Sequence, residues 1–149
     1  MILQTILNDL AAILNEGATN YTVFLRSFEV DPTAPEASEI LIREALGAET
    51  IVGEIKQVQG ASVWPTIEAA LTFTGDHNAG PSSAVFSSEV FQTALARTRN
   101  QIDGLVAEAT GIEVFWLRDG HPDYPVYWDF SFLVRKNAGA MILIGSSSD

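Results

Sequence analysis

Asp119-Gly120-His121-Pro122-Asp123, with Asp129 a few residues on, is the best candidate in this chain for proton chemistry. An imidazole flanked by carboxylates can serve as a general base, and the same donors suit a divalent cation. Either role requires the side chains to converge. An Asp-Gly step followed by a proline sets no fixed spacing of the kind that two histidines one helical turn apart provide. Asp-Gly and His-Pro-Asp are also turn formers, so the segment reads as a turn between two strands. The second histidine lies in Asp76-His77-Asn78, inside a run rich in Gly, Pro and Ser that is a loop by composition. A two-histidine, carboxylate-assisted site would need those two loops to meet, and the expectation is that they do not. The candidate catalytic residues are therefore His121, Asp119, Asp123, Asp129 and His77. No cofactor-binding set and no metal-ligating set is expected.

Other chemically suggestive residues have plainer readings. Asp129 sits within an apolar run, on the face shared by Tyr127 and Ser131; that face is expected to be open to solvent, as one face of an antiparallel sheet commonly is. Arg97 and Arg99 are two residues apart on a helix and do not share a face, so they make a poor anion clamp and should pair locally with acids. Trp116 and Trp128 are expected on neighbouring strands as a cross-strand pair. Gly145-Ser146-Ser147-Ser148-Asp149 reads as a polar exit from the last strand. The chain has no phosphate-loop, dinucleotide-binding, nucleophile-elbow or His-Glu-x-x-His pattern.

The elements that must position these groups follow from periodicity. Leu3, Ile6, Leu7, Leu10, Ile13 and Leu14 recur at helical spacing, which predicts an amphipathic helix over about 2–16 that stops at Gly17. Tyr21–Val30 is β-branched and aromatic and reads as a strand. A proline-bearing connection follows, with Pro35 in the first turn of a helix that ends at Gly47. Ile51–Val58 is a strand weakened by Gly53, and 62–74 is left open between helix and strand. Ser87 or Ser88 caps the longest helix, about 88–109, with a stripe from Phe91 to Ala109. Strands at 113–118 and 126–136 and an apolar strand at 141–144 complete a three-stranded meander. Val126, Trp128, Phe130, Phe132 and Val134 are expected on one face of its middle strand. The expected fold is α+β: one domain over 1–149, with an antiparallel sheet carrying the C-terminal meander (about 113–144), packed by the long helix and the N-terminal helix.

Composition bounds the function. The 149 residues contain no cysteine and carry 19 acidic against 8 basic side chains, a net charge of −11. Such a field repels phosphate backbones and anionic lipid surfaces, so neither nucleic acid nor membrane is expected as a partner, whereas a basic protein is compatible with it. The start of the chain has no basic segment before its apolar residues and reads as a helix rather than a signal peptide, which with the absence of cysteine suits a cytoplasmic protein. The first expectation for function is a small non-catalytic acidic binding protein, of the inhibitor or immunity type. The second is a small-molecule-binding or hydrolytic domain with its His/Asp site between the long helix and the sheet. The third is a homo-oligomeric structural component.

Overall fold

The computed structural model describes residues 2–30 and 37–149. In chain order the elements are α1 (Ile2–Asn15), β1 (Thr22–Val30), α2 (Ser38–Leu46), β2 (Ile51–Gln57), α3 (Val63–Leu71), α4 (Glu89–Ala107), β3 (Gly111–Asp119), β4 (Trp128–Lys136) and β5 (Gly139–Ser148). The expected placement of Pro35 lies outside the described residues. The strands form one antiparallel sheet in the order β1-β5-β4-β3-β2. No helix among the described residues is long and apolar enough to cross a membrane.

Alternation along the strands sorts the core into two layers. On one face, Val23, Leu25, Ile112, Phe130, Phe132, Val134, Met141 and Leu143 meet the apolar stripes of α1, α3 and α4. On the other, Val30, Phe115, Leu133, Ala140 and Ile142 are covered by Leu41 and Ile42 of α2. The segment left open in the sequence is helical, because Val63, Trp64, Ile67 and Leu71 fall on one buried face. The long helix is capped as expected, Ser88 Oγ accepting from Phe91 N–H. Its 19 residues make it about 28 Å long, shorter than the 88–109 expected.

The C-terminus differs most from expectation. β5 does not end at Ile144; it continues to Ser148, pairing with β1 up to Thr22–Ser148 and with β4 up to Trp128–Ser147. Ser146 and Ser147 are fully buried. The polar tail is strand because partners lie on both sides, and two ladders of backbone hydrogen bonds outweigh the weak β preference of serine. Gly145 makes this fit: a Cβ there would collide with the Phe130 ring and press on Leu25. β4 begins at Trp128, not at 126, and Val126 is exposed, so the expected five-residue face loses its first member. Tyr127 also leaves the strand pattern and packs with Tyr21 and Phe73.

The outer edge of β1 is occupied by side chains of α1. Asn15 accepts from Val23 N–H at 2.7 Å and donates to Val23 C=O at 3.1 Å. Gln4 accepts from Ser27 N–H at 2.6 Å and donates to Leu25 C=O at 3.0 Å. Two amide side chains, three turns apart on the helix, thus take the place of a neighbouring strand. Replacing Gly145 by alanine should lower stability by about 1–3 kcal/mol through overpacking against Phe130; urea unfolding monitored by tryptophan fluorescence reads this, and an unchanged midpoint would contradict the packing described.

Candidate functional site

The loop 120–127 carries two of the five sequence candidates, His121 and Asp123, between Asp119 of β3 and Asp129 of β4, and is held down at several points. Gly120, at φ +77°, lets the chain turn hard against the backbone of Glu49 and Thr50, where a side chain would not fit. Asp119 is exposed, and its carboxylate accepts from Gly120 N–H at 2.8 Å. Asp123 accepts a two-pronged bond from Arg26 of β1, at 2.8 Å from Nε and 2.6 Å from Nη2. The Asp123 side chain is only 5% exposed, so this is a nearly buried carboxylate met by a fork of matching geometry. Val126 N–H and Tyr127 N–H then donate to Ser147 C=O and return the chain to the sheet.

His121 lies beneath this clamp. Its Nδ1 accepts from Asp123 N–H at 3.0 Å, which places the proton of the neutral ring on Nε2. Burial pushes its pKa below the ordinary histidine value; the carboxylates of Asp123 and Asp129 pull it upward, and Arg26 adds to the lowering. The bond to Asp123 holds the Arg26 guanidinium above its own usual value. Arg26 follows Leu25 and Asp129 precedes Phe130, so both project from the sheet face opposite α4. His121, Asp123 and Asp129 therefore gather there, and not between the long helix and the sheet as expected. Asp129 itself is exposed. His121 Nε2 and, in β5 opposite Asp129, the Ser146 hydroxyl are both buried with no hydrogen-bond partner.

His77 belongs to a different environment. Its loop is tied to the start of β1 by the Thr19–Gly80 bridge and by Asn20 Nδ2 donating to Asn78 C=O. His77 is exposed, and its N–H donates to Asp76 Oδ1. The charged groups that act on His121 are Asp123, Asp129 and Arg26. Among the described residues, no group of three or more His, Cys, Asp or Glu side chains is placed to hold a metal ion. Arg97 and Arg99 are exposed and face Asp9 and Asp103.

A second feature lies on the other side of β4. Pairing of β3 with β4 stops at Val114–Phe132, although β3 continues to Asp119 alongside β2 and β4 starts at Trp128. The strands diverge and leave a cavity of about 300 Å³, bordered by Glu54, Lys56, Thr66, Trp116, Asp129 and Ser131. The register Val114–Phe132 would set Trp116 opposite Phe130, and the pairing ends before that point, so the expected cross-strand pair of Trp116 with Trp128 does not form. Trp128 stacks on Phe130 and donates to the Tyr21 hydroxyl. Trp116 lies instead over Gly53, the extra residue of a bulge in β2, and remains 46% exposed.

Known proteins offer no match. Neither a family model, nor a curated protein, nor a solved structure matches the chain.

Sequence reasoning missed Arg26, Ser146, Glu54 and Trp116 as members of these two features. Gly53 is the one local signal, since an isolated glycine in a strand often marks a bulge or a close approach.

Because burial lowers the His121 pKa, the unfolded chain takes up a proton more readily. Its contribution to stability is complete above the unfolded value of about 6.5 and is lost as pH falls through the lower folded value. The stability difference between the natural chain and His121→Gln should therefore shrink from pH 7.5 to pH 5.5. Urea midpoints of both proteins measure it, and a constant difference would contradict the assignment.

Proposed function

We propose that this chain is a non-catalytic binding protein that engages a basic macromolecular partner through the edge of the sheet formed by β2 and β3. One observation carries the reading: among the exposed large apolar side chains, Ile51 of β2 and Trp116 of β3 lie on the two strands that form one edge of the sheet. Exposed aromatic and aliphatic groups beside polar neighbours are the usual make-up of an interface centre. Exposed carboxylates surround them, from Glu49, Glu54, Asp119 and Asp129, against the cations Lys56 and Arg118. With the net charge of −11, this side favours a basic partner and steers its approach.

Two of the groups able to do acid–base work help to hold the loop. His121 Nδ1 is occupied by Asp123 N–H, and the Asp123 carboxylate is neutralised by Arg26. That commitment supports binding over catalysis.

A second reading, a small-molecule site, is favoured by His121 Nε2 and the Ser146 hydroxyl, both buried and unpartnered. In a fragment screen it requires ligands that shift the His121 ring resonances; a screen that leaves them unmoved counts against it.

Binding to an array of basic proteins, measured at low and at high salt, tests the first reading. Binding should weaken at least tenfold between 50 and 500 mM salt, as expected of a charged interface. A chain that shows no salt-sensitive binding, or that only associates with itself, would overturn it.

A further inference from the structure

We infer that the opening between β3 and β4 accepts an extended segment of the partner by strand addition, with an arginine of that segment lying over Trp116 and pairing with Glu54. This rests on the proposed function and names the place and the chemistry of contact.

The backbone supplies the first part. Where β3 and β4 part company, each presents to the other an edge that no strand fills, from Phe115 to Asp119 on one side and from Trp128 to Ser131 on the other. Such edges are templates for an added strand. The fold treats its edges unequally. At β1 the outward N–H and C=O groups of Val23, Leu25 and Ser27 are taken up by Asn15 and Gln4. At the β3–β4 opening no comparable side-chain amide reaches across among the described residues, and a cavity remains.

The side chains supply the second part. The bulge at Gly53 lets the six-membered ring of Trp116 pack against the backbone of β2 where a side chain would collide with it, and Trp116 remains 46% exposed. Trp116 Nε1 donates to Glu54 Oε2 at 3.4 Å, which sets a carboxylate at the edge of the exposed ring. A guanidinium can stack on an indole and present its planar fork to a carboxylate at the same time, which a lysine ammonium cannot. Register distributes the charges along the opening. Lys56 pairs with Val114 at the closed end, whereas Glu54 pairs with Trp116 nearer the mouth, and Asp129 stands on the β4 side. Lys56 repels a cation from the closed end, and the two carboxylates attract it toward the mouth.

The test uses the whole chain and a displayed library of random peptides of about ten residues, long enough to run along a strand edge. Selected peptides should carry an arginine flanked by β-branched residues. On binding they should shift the Trp116 indole resonance and the backbone amides of Phe115–Asp119 and Trp128–Ser131. Trp116→Ala and Glu54→Gln, each with unchanged thermal unfolding, should weaken binding about five- to tenfold, and replacing the peptide arginine by lysine should do the same. Glu54→Gln changes an exposed side chain and provides the reading if Trp116→Ala fails to fold. Peptides that bind in a salt-sensitive manner but shift other amides, or that are indifferent to both substitutions, overturn the strand-addition site and leave the proposed function standing. A library that yields no salt-sensitive binder overturns the strand-addition site.

Discussion

A strand within a sheet carries backbone donors and acceptors along both edges, and burial makes each of them costly to leave without a partner. In this protein that requirement is met most completely at β5, which is paired along nearly its whole length with β1 on one side and β4 on the other. Everything else is arranged around this pairing. Serines at its end are drawn into the interior, Gly145 yields space to Phe130, and β1 is held where α1 can reach its outer edge. The bonds from Gln4 and Asn15 link the helix to the sheet by direct hydrogen bonding as well as by apolar packing. The same requirement is relaxed at one interior position, between β3 and β4, and there the sheet opens.

The two features beside β4 have different chemistry and different purposes in this reading. Beneath the loop 120–127, an arginine from β1 and a carboxylate from the loop form a nearly buried pair over a neutral histidine, and the result is a fixed surface. In the β3–β4 opening, an exposed indole hydrogen-bonded to the Glu54 carboxylate lies beside strand edges that no strand fills. A loop pinned to β1 keeps Tyr124 and Val126 exposed, while Ile51 and Trp116 are exposed at the β2–β3 edge. His121 and Asp123 thus contribute to shape, and the groups proposed to bind a partner lie on the β2–β3 side.

Much of the fold was legible because its strongest signals are local. The stripe from Leu3 to Leu14 and the one from Phe91 to Leu105 are periodic over several turns, and alternation from Trp128 to Val134 is unambiguous. What was not legible depends on partners distant in sequence. Ser146-Ser147-Ser148 has the composition of a tail and becomes strand only because β1 and β4 both extend alongside it. The alternation at Val126 and Tyr127 matches a strand, but the Ser147 carbonyl fixes both amides as part of the returning loop. Arg26 and Asp123 are 97 positions apart, and neither has a neighbour that announces the other. Trp116 and Trp128 lie on neighbouring strands, but the register Val114–Phe132 would set Trp116 opposite Phe130, and the pairing ends before that point.

Native-state amide hydrogen exchange on the unbound chain measures the opening most directly, since protection reports which amides have lasting partners. In Trp128–Ser131, the alternate amides that face β5 should be protected to the same degree as those of Met141–Ile144, and the intervening ones that face β3 should exchange orders of magnitude faster. The amides of Val23 and Ser27, bonded to Asn15 and Gln4, should be protected despite lying on an edge strand. Uniform slow exchange across Trp128–Ser131 would mean that β3 and β4 are paired to their ends, and the opening that underlies the proposed binding site would not exist.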